Sequence, residues 1–151
     1  MSRARAAAIV GFAAALLLGY VAWDRYLSPE ARVRRTLESA AAAAEAADVE
    51  ALLSHFSSDY ADFMHPHRAS FEAMVRESFA RVDRLNVTVD TVEIDVEGTE
   101  ARATFDALVV AIRSEERYVV LGTPFQPERL NAHLRRDGGA WKIHRIELPS
   151  P

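Results

Sequence analysis

The chain of 151 residues contains no cysteine. This absence excludes disulfide bonds, thiolate catalysis, cysteine-ligated zinc and a lipid-modified N-terminal cysteine. Lysine is also scarce, since Lys142 is the single lysine among 18 basic residues, and the formal net charge is −4. Acidic and basic residues are interspersed and no broad basic region exists, so we expect no nucleic-acid partner.

Charged residues are missing from one long stretch near the N-terminus, between Ala6 and Trp23. As a helix, these residues would reach about 27 Å, close to the thickness of a bilayer's hydrocarbon core. Tyr20 and Trp23 lie at its end, where interfacial aromatic residues are common. We therefore expect residues 1–26 to form a signal-anchor, a single transmembrane helix, and residues 27–151 to form one domain.

The flanks of this segment bear on its orientation and processing. Arg3 and Arg5 precede it, whereas Arg25 and Arg32 follow it and oppose their effect. We expect a single-pass membrane protein with a cytoplasmic N-terminus and a periplasmic domain. The apolar run is longer than the ~7–15 residues of a signal peptide and ends without a small-residue cleavage site. A secreted form released by cleavage is the alternative.

Helical periodicity follows in three segments. Ser28 and Pro29 are typical of the first residues of a helix, and Asp48 is positioned to cap a second helix. Ser70 is expected to cap a third helix, separated from the second by a polar connector over residues 57–68. The third helix has an apolar stripe at i, i+3 and i+4 spacing, formed by Phe71, Met74, Val75, Phe79 and Val82.

The period changes to two after Arg84, which predicts β-strands. The parity of the apolar residues shifts near Thr91 and again between Ile143 and Ile146, so we expect a β-bulge at each place. Two adjacent glycines at 138 and 139 predict a hairpin. The fold class is therefore α+β, with three helices packed on a strongly bent antiparallel sheet of four to six strands. Such a sheet encloses a cone-shaped interior that can bind a small ligand.

Three stretches carry a resemblance to a known fold: residues 52–60, the strand pair 92–98 with 101–105, and the glycine hairpin 136–143 with its Trp-Lys-Ile sequence. Over roughly residues 29–148, the order of elements resembles the nuclear-transport-factor-2-like superfamily. Its members include SnoaL-like cyclases and ketosteroid isomerase. The resemblance implies a cystatin-like cone fold, which hosts enzymes, binding domains and scaffolds alike.

An isomerase-like or dehydratase-like reaction needs a general base in an apolar pocket and a donor for the developing oxyanion. Asp106 is a candidate base, Tyr60 a candidate donor, and His144 a candidate for either role. However, Asp106 alternates along the strand with the polar residues Arg102 and Thr104, which indicates that all three face water. The sequence therefore predicts no catalytic residue beyond these three weak candidates.

The connector and a later loop contribute residues that can border the mouth of the cone. The pocket or ligand candidates are Tyr60, Phe63, His65 and Phe125. His65 and His67 flank a proline and, with His55 or Asp62, have the chemistry of a metal site. The His-x-His spacing is a weak signal for a metal, so we predict neither a metal nor a cofactor.

Two functional hypotheses from different classes follow. The expected anchor and the lack of a catalytic set favour a membrane-tethered, non-catalytic interaction or assembly domain of the cell envelope. Its partners would be the membrane, other envelope proteins and a second copy of the chain. The alternative is a small-molecule-binding domain, or a SnoaL-like or ketosteroid-isomerase-like enzyme that uses the cone.

Overall fold

The structure is a computed structural model that describes residues 14–23 and 27–149. Residues 14–22 are helical. Among the described residues, no helix is both long enough and apolar enough to cross a membrane. The expected span starts at Ala6, so its first part lies outside the described residues. The transmembrane helix is therefore not supported by the structure and stays a prediction of the sequence.

The first two helices of the domain begin as their sequences predict. Helix α1 spans Pro29–Glu45, and the Ser28 hydroxyl accepts a hydrogen bond from the Ala31 amide at 3.1 Å. Helix α2 spans Val49–Ser54, and Asp48 caps it by accepting from the amide of Ala51 at 3.0 Å. Both caps satisfy an amide that has no partner inside its helix.

The third helix, α3, spans Arg68–Arg81 and differs from its prediction at the first turn. The N-cap residue is His67, which makes no capping hydrogen bond through its side chain. Ser70 lies inside the helix and its hydroxyl donates to the carbonyl oxygen of His67 at 2.7 Å. The prediction that Ser70 caps α3 is therefore wrong, because the N-cap is His67 and the helix starts three residues earlier than expected.

The expected polar connector is a strand over most of its first half. Strand β1 spans Phe56–Asp62 and pairs in parallel with the last strand, where Asp62 lies opposite Ile146. The pairing shifts register between Phe56 and Ala61. Strand β1 therefore lacks regular alternation, and periodicity could not reveal it. The expectation of a wholly antiparallel sheet is also wrong, because the parallel pairing of β1 with the last strand makes the sheet mixed.

Five further strands complete the sheet: β2 (Arg84–Glu97), β3 (Glu100–Arg113), β4 (Glu116–Leu121), β5 (Glu128–Asp137) and β6 (Ala140–Glu147). The strand order is β1-β6-β5-β3-β2, and β4 pairs with the second half of β3. The pairing of β2 with β3 shifts register between Thr91 and Glu93. The pairing of β5 with β6 shifts between His133 and Leu134, where His144 is the extra residue of β6. Both predicted bulges are therefore confirmed, and they help to curl the sheet around the helices.

The core lies between α1 and the inner face of the sheet. Buried alanines on α1 and on β3 let the helix approach the sheet closely, since a methyl group needs little space. The buried alanines on these two elements are Ala40, Ala43, Ala101, Ala103, Ala107 and Ala111. Larger core side chains include Phe105, Leu134 and Trp141, and Trp141 is only 5% exposed. The indole of Trp141 therefore lies on the inner face of the sheet.

Candidate ligand cavity

A cavity of about 410 Å³ lies between α3 and the inner face of the sheet. Its volume is within the range of small-molecule sites, ~300–1,000 Å³. All three helices and strands β2, β3 and β4 contribute to its wall. Most lining side chains are apolar, including Leu52, Phe71, Met74, Val75, Phe79, Leu85 and Val109. The cavity therefore suits an apolar molecule.

Two polar residues of α3 also line this cavity, and they lie one helical turn apart. The Ser78 hydroxyl lies 3.5 Å from the sulfur of Met74. A thioether sulfur is a weak hydrogen-bond acceptor. Arg81 lines the cavity with part of its side chain, yet that side chain is 68% exposed. Its guanidinium contacts Glu77 at 2.5 Å. Among the described lining residues, none carries a carboxyl or an imidazole group.

A hydrogen-bonded cluster at the end of β1 lies outside this cavity. The Tyr60 hydroxyl donates to Asp62 Oδ2 at 2.9 Å, and the other carboxylate oxygen accepts from the Met64 amide at 2.7 Å. His65 Nδ1 lies 3.1 Å from both oxygens of Asp62. Tyr60 is buried against Phe71, with the ring centroids 4.5 Å apart. Burial, followed by the negative charge of Asp62, raises the pKa of Tyr60 and keeps the phenol protonated.

The outer face of the sheet carries a second polar group. Arg129 of β5 contacts both carboxylate oxygens of Asp106 on β3, at 2.8 and 2.9 Å. This hydrogen bond lowers the pKa of Asp106. The same two residues line a cleft of about 670 Å³ beside the loop between β4 and β5. The carboxylate of Asp106 and the guanidinium of Arg129 therefore satisfy one another, and Glu128 adds a further negative charge to the wall of this cleft.

Two histidines lie further along the same outer face. The rings of His133 and His144 are 6.2 Å apart, and His133 Nε2 lies 2.7 Å from a carboxylate oxygen of Glu147. Burial and then the nearby Arg135 guanidinium lower the pKa of His144. Arg135 also binds both oxygens of Asp59, and this hydrogen bond is the main reason why the pKa of Asp59 falls to about 2.

Residues 25–147 match the family described as a SnoaL-like domain. The chain belongs to this family. The match covers every helix and strand from α1 to β6, and it agrees with the resemblance noted in the sequence. No characterised protein matches the SnoaL-like chain in a comparison of sequences.

Solved structures agree on the fold of this SnoaL-like domain. A putative scytalone dehydratase from Novosphingobium aromaticivorans is 17% identical with a TM-score of 0.67, covering 80% of this chain and 82% of its own. A putative aromatic ring hydroxylase from the same organism is 16% identical with a TM-score of 0.64, covering 80% and 88%. A third structure from that organism is an NTF2-like protein with a cystatin-like fold. It is 22% identical, with a TM-score of 0.62, and the match covers 87% of each chain. At these identities the likeness shows the fold alone.

The three weak catalytic candidates do not meet in the SnoaL-like domain. Tyr60 is buried on β1, whereas Asp106 pairs with Arg129 on the outer face of β3. Strands β6 and β5 lie between them, which corresponds to roughly 14 Å across the sheet. His144 lies on the outer face beside His133. No arrangement of a base and a donor around one substrate follows from these positions.

The other pocket candidates also lie away from the main cavity. Phe125 is 98% exposed in the loop before β5. Phe63 lines a small cleft of about 210 Å³ with Asp62 and Arg145. His65 is held by Asp62. Within the described part of the chain, no group of three histidine, aspartate or glutamate side chains is placed to hold a metal ion.

Ser78 and Arg81, the two polar residues that line the cavity, were not identified from the sequence. Ser78 follows Met74 by four residues and Val75 by three, so it shares the apolar face of α3. A hydroxyl on an otherwise apolar stripe was the available signal. The stripe predicts core packing, but part of it faces the cavity because α3 and the sheet do not meet there.

Proposed function

We propose that the SnoaL-like domain binds a small apolar molecule in the 410 Å³ cavity and does not transform it. The observation that carries this proposal is the composition of the wall. Hydrophobic side chains surround the space on several sides, and the described lining residues include no group that can act as a general base. A wall of this kind favours binding over catalysis.

Burial of the ligand's apolar surface favours binding in the cavity. Removing roughly 300 Å² of apolar ligand surface from water contributes about 7 kcal/mol at ~25 cal/mol per Å². The loss of translational and rotational freedom opposes this gain by at least ~4 kcal/mol. The remainder is at most about 3 kcal/mol, which corresponds to a dissociation constant of several millimolar or weaker before any polar contact is counted. Burial of apolar surface therefore favours occupation of the cavity, and tighter binding requires a larger buried surface or polar contacts at the mouth.

An enzymatic role has weaker support. The names of two structural neighbours, a putative scytalone dehydratase and a putative aromatic ring hydroxylase, belong to enzymes. Their identities of 16% and 17% do not carry those activities to this chain. An activity would need an acid or a base at the ligand, and Asp106, Tyr60 and His144 all lie outside the cavity wall.

The test uses two neighbouring valines of β3. Val109 lines the cavity, while Val110 follows it and points to the opposite face of the strand. We expect Val109→Phe to fill the cavity and to lower the affinity for the neutral dye N-phenyl-1-naphthylamine at least tenfold in fluorescence titrations of the full chain. Val110→Phe adds the same volume on the outer face and should bind like the wild type. Equal binding by both variants contradicts the proposal.

Membrane attachment is a separate proposal that rests on the uncharged sequence from Ala6 to Trp23. Neither the described residues nor the comparisons add support to it, nor to an assembly role with envelope partners or a second copy. The proposal places the N-terminus in the cytoplasm and the domain in the periplasm. Protease treatment of intact cells and of inverted vesicles tests it, since the domain should be cleaved only from the periplasmic side. Extraction of the full chain by alkaline carbonate contradicts an integral anchor.

A further inference from the structure

We propose that the ligand is a monocarboxylate with a long apolar body. Its chain occupies the cavity, and its carboxylate binds the guanidinium of Arg81 at the mouth, with the Ser78 hydroxyl as a second donor. This inference rests on the proposed function, because it names the class of molecule that the same cavity takes.

The position of Arg81 supports a carboxylate at the mouth. Arg81 is the last residue of α3, and it both lines the cavity and is 68% exposed. An arginine of this kind covers apolar surface with its methylene groups and keeps its charged end in water. The guanidinium is planar and always protonated, and its donors match the two oxygens of a carboxylate. Among the described lining residues it is the single charged group.

Ser78 supplies a polar group deeper along the same helix face. It lies three residues before Arg81, so both side chains are on one side of α3. The hydroxyl of Ser78 contacts Met74 Sδ at 3.5 Å. Sulfur is a poor acceptor, so a ligand oxygen is a better partner for this hydroxyl. The two donors together favour a ligand whose polar atoms are confined to one end.

Glu77 competes for the same guanidinium, at 2.5 Å. Both members of this pair are largely exposed, with 68% of the Arg81 side chain and 62% of the Glu77 side chain accessible. Exposed ion pairs contribute little to stability, and a guanidinium has five N–H donors. Arg81 can therefore bind a ligand carboxylate while it keeps or releases Glu77. The nearby negative charge also disfavours a ligand with two carboxylates.

A cysteine-free chain allows a label to report from the cavity itself. Val120 of β4 lines the cavity and is exposed, so Val120→Cys gives a single reactive position for an environment-sensitive dye. The full chain, held in an amphipathic polymer without detergent, is titrated at pH 8 with dodecanoate and with the neutral analogue dodecan-1-ol. Both ligands are kept below the concentrations at which they aggregate.

We expect dodecanoate to bind about tenfold more tightly than dodecan-1-ol, because the carboxylate forms charge-assisted hydrogen bonds. Arg81→Gln should lower the affinity for dodecanoate to that for the alcohol, while the affinity for the alcohol stays unchanged. Arg81→Lys should keep part of the preference. Arg84→Gln removes an exposed arginine just beyond α3 that does not line the cavity, and it should behave like the parent protein.

The outcomes separate the two proposals. Equal affinities for dodecanoate and dodecan-1-ol, unaffected by Arg81→Gln, overturn the carboxylate inference and leave an apolar binding site in place. An equal loss of dodecanoate binding in Arg81→Gln and Arg84→Gln overturns the inference as well, since it reflects only general charge. If neither ligand changes the signal of the dye, while N-phenyl-1-naphthylamine also fails to bind, the proposed function itself is wrong.

Discussion

Tyr60 and Asp62 lie two residues apart on β1, and the buried phenol donates to the carboxylate at 2.9 Å. Asp62 also accepts from the backbone of the following loop, so one side chain links the end of β1 to the residues that lead into α3. The side chain of Asp62 is only 9% exposed. A buried carboxylate of this kind is stable because several donors surround it.

We expect Asp62→Ala to lower the free energy of unfolding by about 2–4 kcal/mol, since it leaves the buried Tyr60 hydroxyl without its partner. Tyr60→Phe removes the donor instead and should cost about 1 kcal/mol. Denaturation of the double variant measures the coupling between the two residues. Strict additivity of the two single effects would show that the hydrogen bond contributes nothing.

Trp141 of β6 provides a test of the core. Its side chain is 5% exposed, so Trp141→Ala should cost about 3–5 kcal/mol through lost burial and an unfilled cavity. Tyr118 of β4 is 48% exposed and serves as a matched aromatic control. Tyr118→Ala should change the free energy of unfolding by less than about 1 kcal/mol. Similar losses in both variants would contradict the inward orientation of Trp141.

Two glycines with positive φ differ in the space around them. Gly122 has a φ of +87°, and a Cβ there would lie 3.0 Å from the carbonyl oxygen of Gln126 and 3.2 Å from a methyl group of Leu108. Gly98 has a φ of +61°, and a Cβ there would meet no atom within 4 Å. We expect Gly98→Ala to cost about 1 kcal/mol, and Gly122→Ala at least about 2 kcal/mol because the clash adds to the strain. Equal melting temperatures of the two variants would contradict this.

The stability of the domain should fall as the solution becomes mildly acidic. Burial, and then the charge of Lys142, lowers the pKa of His55 below its ordinary value of 6.5. Burial also lowers the pKa of His144, with a further contribution from Arg135. In the window just below pH 6.5 the unfolded chain binds protons at these positions that the native state does not bind. The free energy of unfolding therefore rises with pH in this window.

Urea denaturation of the full chain at pH 7.5, 6.5 and 5.5 measures this dependence. The double variant His55→Gln with His144→Gln should lose less stability between pH 6.5 and 5.5 than the wild type does. The comparison within one series separates the two histidines from the other titrating groups, which are common to both proteins. An equal loss in the two proteins would show that these histidines do not contribute.

The amino-acid sequence determined the elements that carry their own periodic pattern. The apolar residues of α1 and α3 recur at helical spacing, and those of β2 and β6 alternate with one shift of parity each. Burial of one face explains why these patterns fix both the element and the residues that reach the core. Ser28 and Asp48 also marked the first residues of α1 and α2, because capping is a local interaction.

Tertiary structure decided what depends on residues distant in the chain. Phe56–Asp62 is a strand because the backbone of β6 supplies its hydrogen bonds, although its own sequence has no regular alternation. The strand order places two strands between Tyr60 and Asp106, and only the packed sheet reveals that separation. The cavity beside Ser78 and Arg81 exists because α3 and the sheet stand apart at one end, and no local pattern records the distance between two elements.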